Sequence, residues 1–367
     1  MTTHVSRTAP RTILSSPINP AASTALPTVV SRGSHDAAPP PDAVIIKRGQ
    51  YLLPTAPPPI WRQQQEVNLA RLLAVQRTNQ GGVLSHESAA LLHGAWLRRH
   101  EPDVHLLYSF APSSTSSPLP PVVYGGPLAW GRSSGLPPDA VEGTLLRGRV
   151  VRLCRRRRHL EAPDLATVLG LRTTTLARTL ADCLLDLPGP EAFVVGDSLL
   201  RIGTGFDRFK PEACRDALEQ LLAQTRAVLG RSSGHRGVAR ARRMLPLLDP
   251  AAESPGESET RYWLLTLGLP PPQSQFEVPG GASSWFLDLA WERFRIALEF
   301  DGASKYALHG DALYQEKLRQ ERIEELGWRI LRVAWADLRE PTALLGRVLA
   351  ALPAGIEMRL VPRPWLT

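Results

Sequence analysis

The apolar positions of this chain fall into short runs whose spacing changes along its length, and each change marks an element. Trp61–Arg77 repeats apolar residues at helical spacing, with Val67, Leu69, Ala70, Leu72 and Leu73 on one face, and Gly81-Gly82 stop it. Ser85 stands where an N-cap belongs, ahead of a short helix over His86–Leu92 closed by Gly94. Val44–Leu53 reads as a strand pair turning at Gly49, and Val104–Phe110 alternates as a strand. Ala111–Pro138, dense in Pro, Ser and Gly, reads as a loop, and the strand-like Leu145–Leu153 runs into Arg155–Arg158. Thr174 or Thr175 caps a helix reaching Leu187. Pro188–Pro190 break it, and helices follow over Glu191–Leu200, Pro211–Leu229 and Arg236–Leu248.

The last third is the most legible. Ser254-Pro255-Gly256-Glu257 has the form of a capping box with Pro at the first helical position, opening a helix that runs to Leu267 and stops at Gly268. Trp285–Trp291 and Arg295–Phe300 read as a β-hairpin, Asp311–Leu326 as a helix ended by Gly327, Trp328–Trp335 as a strand, and Pro341–Leu352 as a closing helix. The order α-β-β-α-β-α predicts a mixed sheet with helices packed on it, an α/β fold. Residues 1–43, rich in Ala, Pro, Ser and Thr, are expected to be a disordered tail. The chain then divides into an α+β region over 44–249, mostly helical in its second half, an α/β domain over 250–352, and a tail over 353–367.

Charge adds a functional hint. Residues 1–249 carry 30 Lys+Arg against 19 Asp+Glu, whereas residues 250–352 carry 11 against 15. A basic front half suits a partner made of phosphates; the alternative is codon bias, since 39 of the 43 basic residues are Arg. Arg155, Arg156, Arg157 and Arg158 are the candidate nucleic-acid contact, or equally a solvated loop. Three widely spaced cysteines give neither a disulfide framework nor a zinc pattern, and no apolar run is long enough for a membrane, so a cytoplasmic protein is expected. His86, His93, His235 and His309 lack metal-ligand spacing and read as structural or surface residues.

The candidate chemistry lies in the hairpin. With Arg293-Phe294 at the turn, Asp288 falls directly opposite Glu299, with Cβ atoms about 5 Å apart. Like charges so placed call for a cation, and Mg²⁺ (or Mn²⁺) held by carboxylates and water is the expected one. Glu259, in the first turns of the preceding helix, is a candidate third carboxylate, with ordinary helix-dipole pairing as the alternative. Lys305 and Lys317, two of only four lysines, are candidates for stabilising charge at a scissile phosphate, or else surface residues.

The segments ESETRYWLLTLGLPPPQSQFEV, FLDLAWERFRIALEFDG, KY at 305–306 and EKLRQERIEELGWRILRVAWADL together resemble the very-short-patch-repair-like branch of the PD-(D/E)XK nuclease superfamily. The resemblance implies a restriction-endonuclease-like domain in which Asp288, Glu299 and Glu259 bind a divalent metal that activates water for phosphodiester hydrolysis. Asp301 stands where the motif lysine belongs, so Lys305 or Lys317 supplies that charge or the site is silent. The front segments KRGQYLL, GGVLSHESAALLHG and GLRTTTLARTLADCLLDLPGPEAFVVGDSLLR are similar to winged-helix antitoxins of type IV abortive-infection systems. Two functions follow: a metal-dependent DNA endonuclease in repair or phage defence, or a DNA-binding regulator or antitoxin that keeps an inactive nuclease fold and has a toxin or a second copy as partner. An RNA-processing toxin would share the chemistry.

Overall fold

The computed structural model describes residues 26–31, 43–55, 60–122, 150–280, 284–301, 310–355 and 357–367. The described part is mixed α/β. Strands β1 (Val29–Ser31), β2 (Val44–Lys47) and β3 (Gln50–Leu52) form an antiparallel sheet in the order β1-β3-β2, with Gly49 at φ +73° making the β2–β3 turn. Val29–Ser31 thus corrects the expectation of disorder throughout 1–43. The rest of that tail, and any helix-turn-helix ahead of β2, lie outside the described residues.

Helix α1 (Ile60–Thr78) packs Val67, Ala70 and Leu73 against a six-stranded sheet built from β4 (Val83–Leu84), β5 (Val104–Tyr108), β6 (Ser116–Pro118), β7 (Arg152–Arg157), β8 (Leu165–Val168) and β9 (Leu171–Thr174). Its order is β6-β7-β5-β4-β9-β8, with β5–β7 and β4–β9 parallel. Three expectations change here. The Arg155–Arg158 run lies in and just beyond β7 rather than following a strand, the loop from Ala111 contains β6, and the β8–β9 hairpin was not foreseen. That hairpin turns at Leu169 and Gly170, both at positive φ, a two-residue turn whose twist matches the strands.

Helix α2 (His86–His93), between β4 and β5, leads the helical layer. It packs with α3 (Leu176–Asp186), α4 (Gly189–Thr204), α5 (Arg215–Arg231) and α6 (Val238–Met244) around Leu180, Leu184, Phe193 and Leu229. Thr175 caps α3, its hydroxyl accepting from the Arg178 amide.

Helix α7 (Pro255–Leu267) starts as expected, the Ser254 hydroxyl accepting from the Glu257 amide at 3.2 Å. It serves two cores. Tyr262 and Leu265 join the helical layer, where Arg261 pairs with buried Asp197 of α4 at 2.6 Å, and Leu264 joins the next sheet. That sheet runs β10-β11-β12-β13, from β10 (Gln273–Pro279), β11 (Ser284–Trp291), β12 (Ile296–Phe300) and β13 (Arg329–Val333), with β12–β13 parallel across the crossover helix α8 (Gly310–Glu325). Helix α9 (Pro341–Ala350) closes it. The expected order therefore lacked one strand, β10. An edge strand of mixed polarity, QSQFEVP, gives only a weak alternation signal.

The sheet's faces are distinct. Leu289, Ile296 and Leu298 pack toward α7 and α9, whereas Leu287, Ala290 and Ala297 pack with Ile323 of α8. Gly256 lets α7 approach closely: a Cβ there would lie 2.1 Å from the Phe300 ring. Residues 353–367 are no free tail. The amides of Val361 and Arg363 donate to Gly268 and Thr266 carbonyls, and Leu366 is fully buried in the helical core.

Candidate functional site

The hairpin register is the expected one. Leu289 pairs with Leu298, Ala290 with Ala297 and Trp291 with Ile296, which aligns Asp288 opposite Glu299. The turn is a single 3₁₀ turn over Glu292–Phe294 closed by Arg295 in the left-handed region. The ladder, however, opens at Asp288. On one side β11–β12 pairing ends at Leu289; on the other Gln275 adopts φ +49° and drops out between the pairs Ser274–Leu289 and Phe276–Leu287. Strand alternation would put Leu287 and Leu289 on one face, yet they pack on opposite faces, so β11 turns over at Asp288.

The two acids consequently look in different directions. Asp288 accepts the Phe300 amide at 2.8 Å, standing in for the carbonyl the ladder no longer supplies, and its charge acts on Glu257 in the first turn of α7. Glu299 shares the Ala297 face and points toward α8. Its buried carboxylate is gripped by two guanidiniums, Arg319 Nη2 at 2.6 Å and Arg332 Nη1 at 2.7 Å. Arg332 also reaches Asp301 at 3.2 Å and Glu316 at 2.8 Å, and Arg319 reaches Glu316 at 3.0 Å. The expectation of Asp288 and Glu299 sharing one cation is corrected: the counter-charge on Glu299 is covalently part of the chain.

Two further candidates move for the same reason, the 100° step of a helix. Glu259 does not join the acids. Both its oxygens are held by Arg98, at 2.6 and 2.7 Å, tying α7 to the loop after α2. The helix acid beside Asp288 is Glu257, two residues earlier and 200° around the axis. It is buried, it accepts from the Glu253 amide, the Ser254 hydroxyl and Gln275 Nε2, and its pKa is pushed up to about 8 by burial and then by Asp288. Lys317 is likewise displaced by Arg319: its side chain is 73% exposed and its ammonium lies 3.7 Å from Glu321, while Arg319 takes Glu299. Lys305 lies outside the described residues. The capping box had marked Glu257 only as a helix start, and nothing in the sequence singled out Arg319 or Arg332.

The donor set does not suit Mg²⁺ or Mn²⁺ at Glu299. A metal at carboxylate distance would sit beside two fixed positive charges, and among the described residues no group of three His, Cys, Asp or Glu side chains is disposed to hold one.

The arginine run divides by strand alternation. Arg156 and Arg158 turn inward to Asp186, at 3.4 and 2.9 Å, and Arg156 also meets His105 Nδ1 at 2.8 Å. Burial would raise Asp186, but the His86 bond and these two charges hold it well below the usual carboxylate range. His86 Nε2 lies 3.0 Å from Asp186 and its Nδ1 2.8 Å from the Ser85 hydroxyl. Ser85 and His86 are fully buried and only Asp186 keeps an edge in solvent; burial pushes His86 down to about 3, so it is a neutral structural imidazole. Arg155 and Arg157 have no carboxylate partner among the described residues. All four arginines line an open cleft with Thr115, Ser116 and Cys154, and Lys47 is close enough to Arg155 to be lowered by it, after burial.

Comparison with known proteins narrows little. Two uncharacterized proteins of Mycobacterium tuberculosis, from strains CDC 1551 / Oshkosh and ATCC 25618 / H37Rv, are each 32% identical to the chain over 186 residues. The match covers 50% of this chain and 63% of each relative, so the chain spans under two thirds of the curated proteins it resembles. No family model and no solved structure matches. Among the described residues no helix is long and apolar enough to cross a membrane.

Proposed function

We propose that this chain is a DNA-binding protein of the regulator or antitoxin type, in which a nuclease-like sheet domain serves as a catalytically silent scaffold. The observation that carries the reading is the pair of guanidiniums on Glu299. Metal-assisted phosphodiester hydrolysis needs carboxylates free to hold a cation and its water. Here the acid expected to do so is neutralised at 2.6 and 2.7 Å by Arg319 and Arg332, and Asp301 adds a further carboxylate to the same cluster. The succession of helix, three antiparallel strands, crossover helix and parallel strand supports a restriction-endonuclease-like ancestry for 250–352. DNA contact rests on Arg155 and Arg157, the two arginines of the cleft that have no acidic partner among the described residues, on a front region of net charge +11 (30 against 19).

The metal-dependent endonuclease is the second reading, and one observation favours it. Glu257 and Asp288 form a like-charged pair at the break in the sheet, the kind of pair that retains a proton or recruits a cation. Nicking of supercoiled plasmid with Mg²⁺, Mn²⁺ or EDTA, run beside duplex binding at several salt concentrations, separates the two. The scaffold reading expects salt-sensitive binding and no metal-dependent nicking. Nicking that requires metal and disappears in Glu257→Gln and Asp288→Asn would replace it with the endonuclease.

A further inference from the structure

The loop after α4 carries an aromatic side chain for which neither core has a use. Phe209 is 70% exposed, yet it is not on a floppy tip. Gly205 at φ +61° turns the chain out of α4, the Phe209 amide donates to the Asp207 carboxylate at 3.0 Å, and the Lys210 amide donates to the Asp207 carbonyl at 3.0 Å. The ring meets Phe286 of β11 edge-on, centroids 5.2 Å apart and 85° between planes. The Arg208 guanidinium lies 5.7 Å from the Phe209 ring centre and 5.1 Å from that of Phe286. Arg208 is itself held, by Glu253 at 3.2 Å and Gln275 Oε1 at 3.1 Å. Gln275 in turn bonds Glu257, so this cluster is continuous with the break in the sheet at Asp288.

From this arrangement, and resting on the nucleic-acid reading above, we infer that Phe209, backed by Arg208 and Phe286, is a stacking platform for an unpaired base of a single-stranded nucleic acid. A base offers a flat π-face and a chain of phosphates, and the site offers a pre-positioned ring flanked by cations. Lys210, exposed and without an acidic partner among the described residues, is the neighbour for the adjoining phosphate. Interleaved aromatic and basic residues, Arg208-Phe209-Lys210, are what sequence-tolerant single-strand binding uses, because every base can stack and every nucleotide carries the same charge. Arg155 and Arg157 lie on a different element and grip backbone without selecting single strands. The platform therefore assigns the protein a preference for unpaired nucleotides, and its Arg208 is linked through Gln275 to Glu257.

The test uses the full chain and two fluorescent probes, a short single-stranded oligonucleotide containing 2-aminopurine and a duplex of the same length. Phe209→Leu keeps apolar bulk and removes the π-face; its exposure means the fold should tolerate the change, and Phe209→Tyr serves as the conservative control. The expected result is roughly tenfold weaker single-strand binding for Phe209→Leu, within the range for loss of one base stack, with duplex affinity unchanged and Phe209→Tyr close to the parent. Quenching of 2-aminopurine in the parent complex should vanish in Phe209→Leu. Single-strand affinity equal in parent and Phe209→Leu overturns the platform, while salt-sensitive duplex binding in the same samples leaves the DNA-binding reading standing. Loss of self-association in Phe209→Leu with unchanged oligonucleotide binding identifies a protein–protein surface and also overturns it. No binding of either probe by the parent overturns both.

Discussion

Replacing Glu299 by Gln decides whether this carboxylate is a structural counter-ion or a ligand. The substitution keeps shape and removes the charge that Arg319 and Arg332 share. The Glu299 side chain is 2% exposed, and those of Arg319 and Arg332 are 21% and 28% exposed. Removing one partner of a buried pair typically costs about 3–5 kcal/mol. Two features lower that figure: the guanidiniums are partly hydrated, and each keeps Glu316, while Arg332 also keeps Asp301. The expected loss is therefore about 2–3 kcal/mol, or roughly 8–24 °C in Tm for a domain of about 100 residues. Thermal or urea unfolding measures it, with and without Mg²⁺. A ligand that binds only the folded state adds RT ln(1 + [L]/Kd), so a metal on Glu299 would raise the parent's Tm and not the variant's. With the guanidiniums in place, any Mg²⁺ effect should be the same in both. A variant that melts within about 1 °C of the parent, or a Mg²⁺ stabilisation that the substitution abolishes, refutes the structural role.

Further outcomes follow from the same contacts. Glu257 is raised from 4.5 to about 8 by burial and Asp288, so its contribution to stability is complete below pH 4.5 and is lost as pH rises through about 8; Glu257→Gln should gain stability over the parent across that window, on the order of a few kcal/mol, in urea unfolding at stepped pH. An equal pH dependence in parent and variant would mean the carboxyl is not perturbed. Converting Arg155 and Arg157 to Gln should lower the slope of log K against log salt for duplex binding by up to about 2, since each phosphate contact contributes about 0.9, whereas Asp186→Asn should lower Tm by several degrees and leave that slope near the parent's. Arg98→Met removes the bidentate partner of buried Glu259 and one partner of Glu191, and should cost about 2–4 kcal/mol in unfolding without altering oligonucleotide affinity; a change in affinity alone would tie Glu259 to the binding site instead.

Much of the architecture was legible because it depends on neighbours in sequence. Ser254, Thr175, Gly94 and Gly268 begin or end helices where capping chemistry says they should, and the Asp288–Glu299 alignment follows from a turn length. Illegible were the elements whose signal is diluted by solvent or brevity. Strand β10 is a half-polar edge, and the β8–β9 hairpin has four-residue strands around a Leu-Gly turn.

Local periodicity thus determined that this chain is mixed α/β, where its helices start, and that acids lie opposite each other in one hairpin. Which atoms meet was decided by tertiary structure. Glu257 and Glu259 look equivalent in the sequence, but the packing of α7 sends one to Asp288 and the other to Arg98. Lys317 and Arg319 differ in the same way on α8, and within the arginine run, all of which lines one cleft, alternation along the chain gives Asp186 to Arg156 and Arg158 and not to Arg155 and Arg157. The break at Asp288 needs Gln275, thirteen residues earlier, to leave the ladder. The physical reason is one of range. Backbone preference and capping act over a few residues, whereas a carboxylate's partner is set by whichever charges the fold brings within about 4 Å, from any distance along the chain.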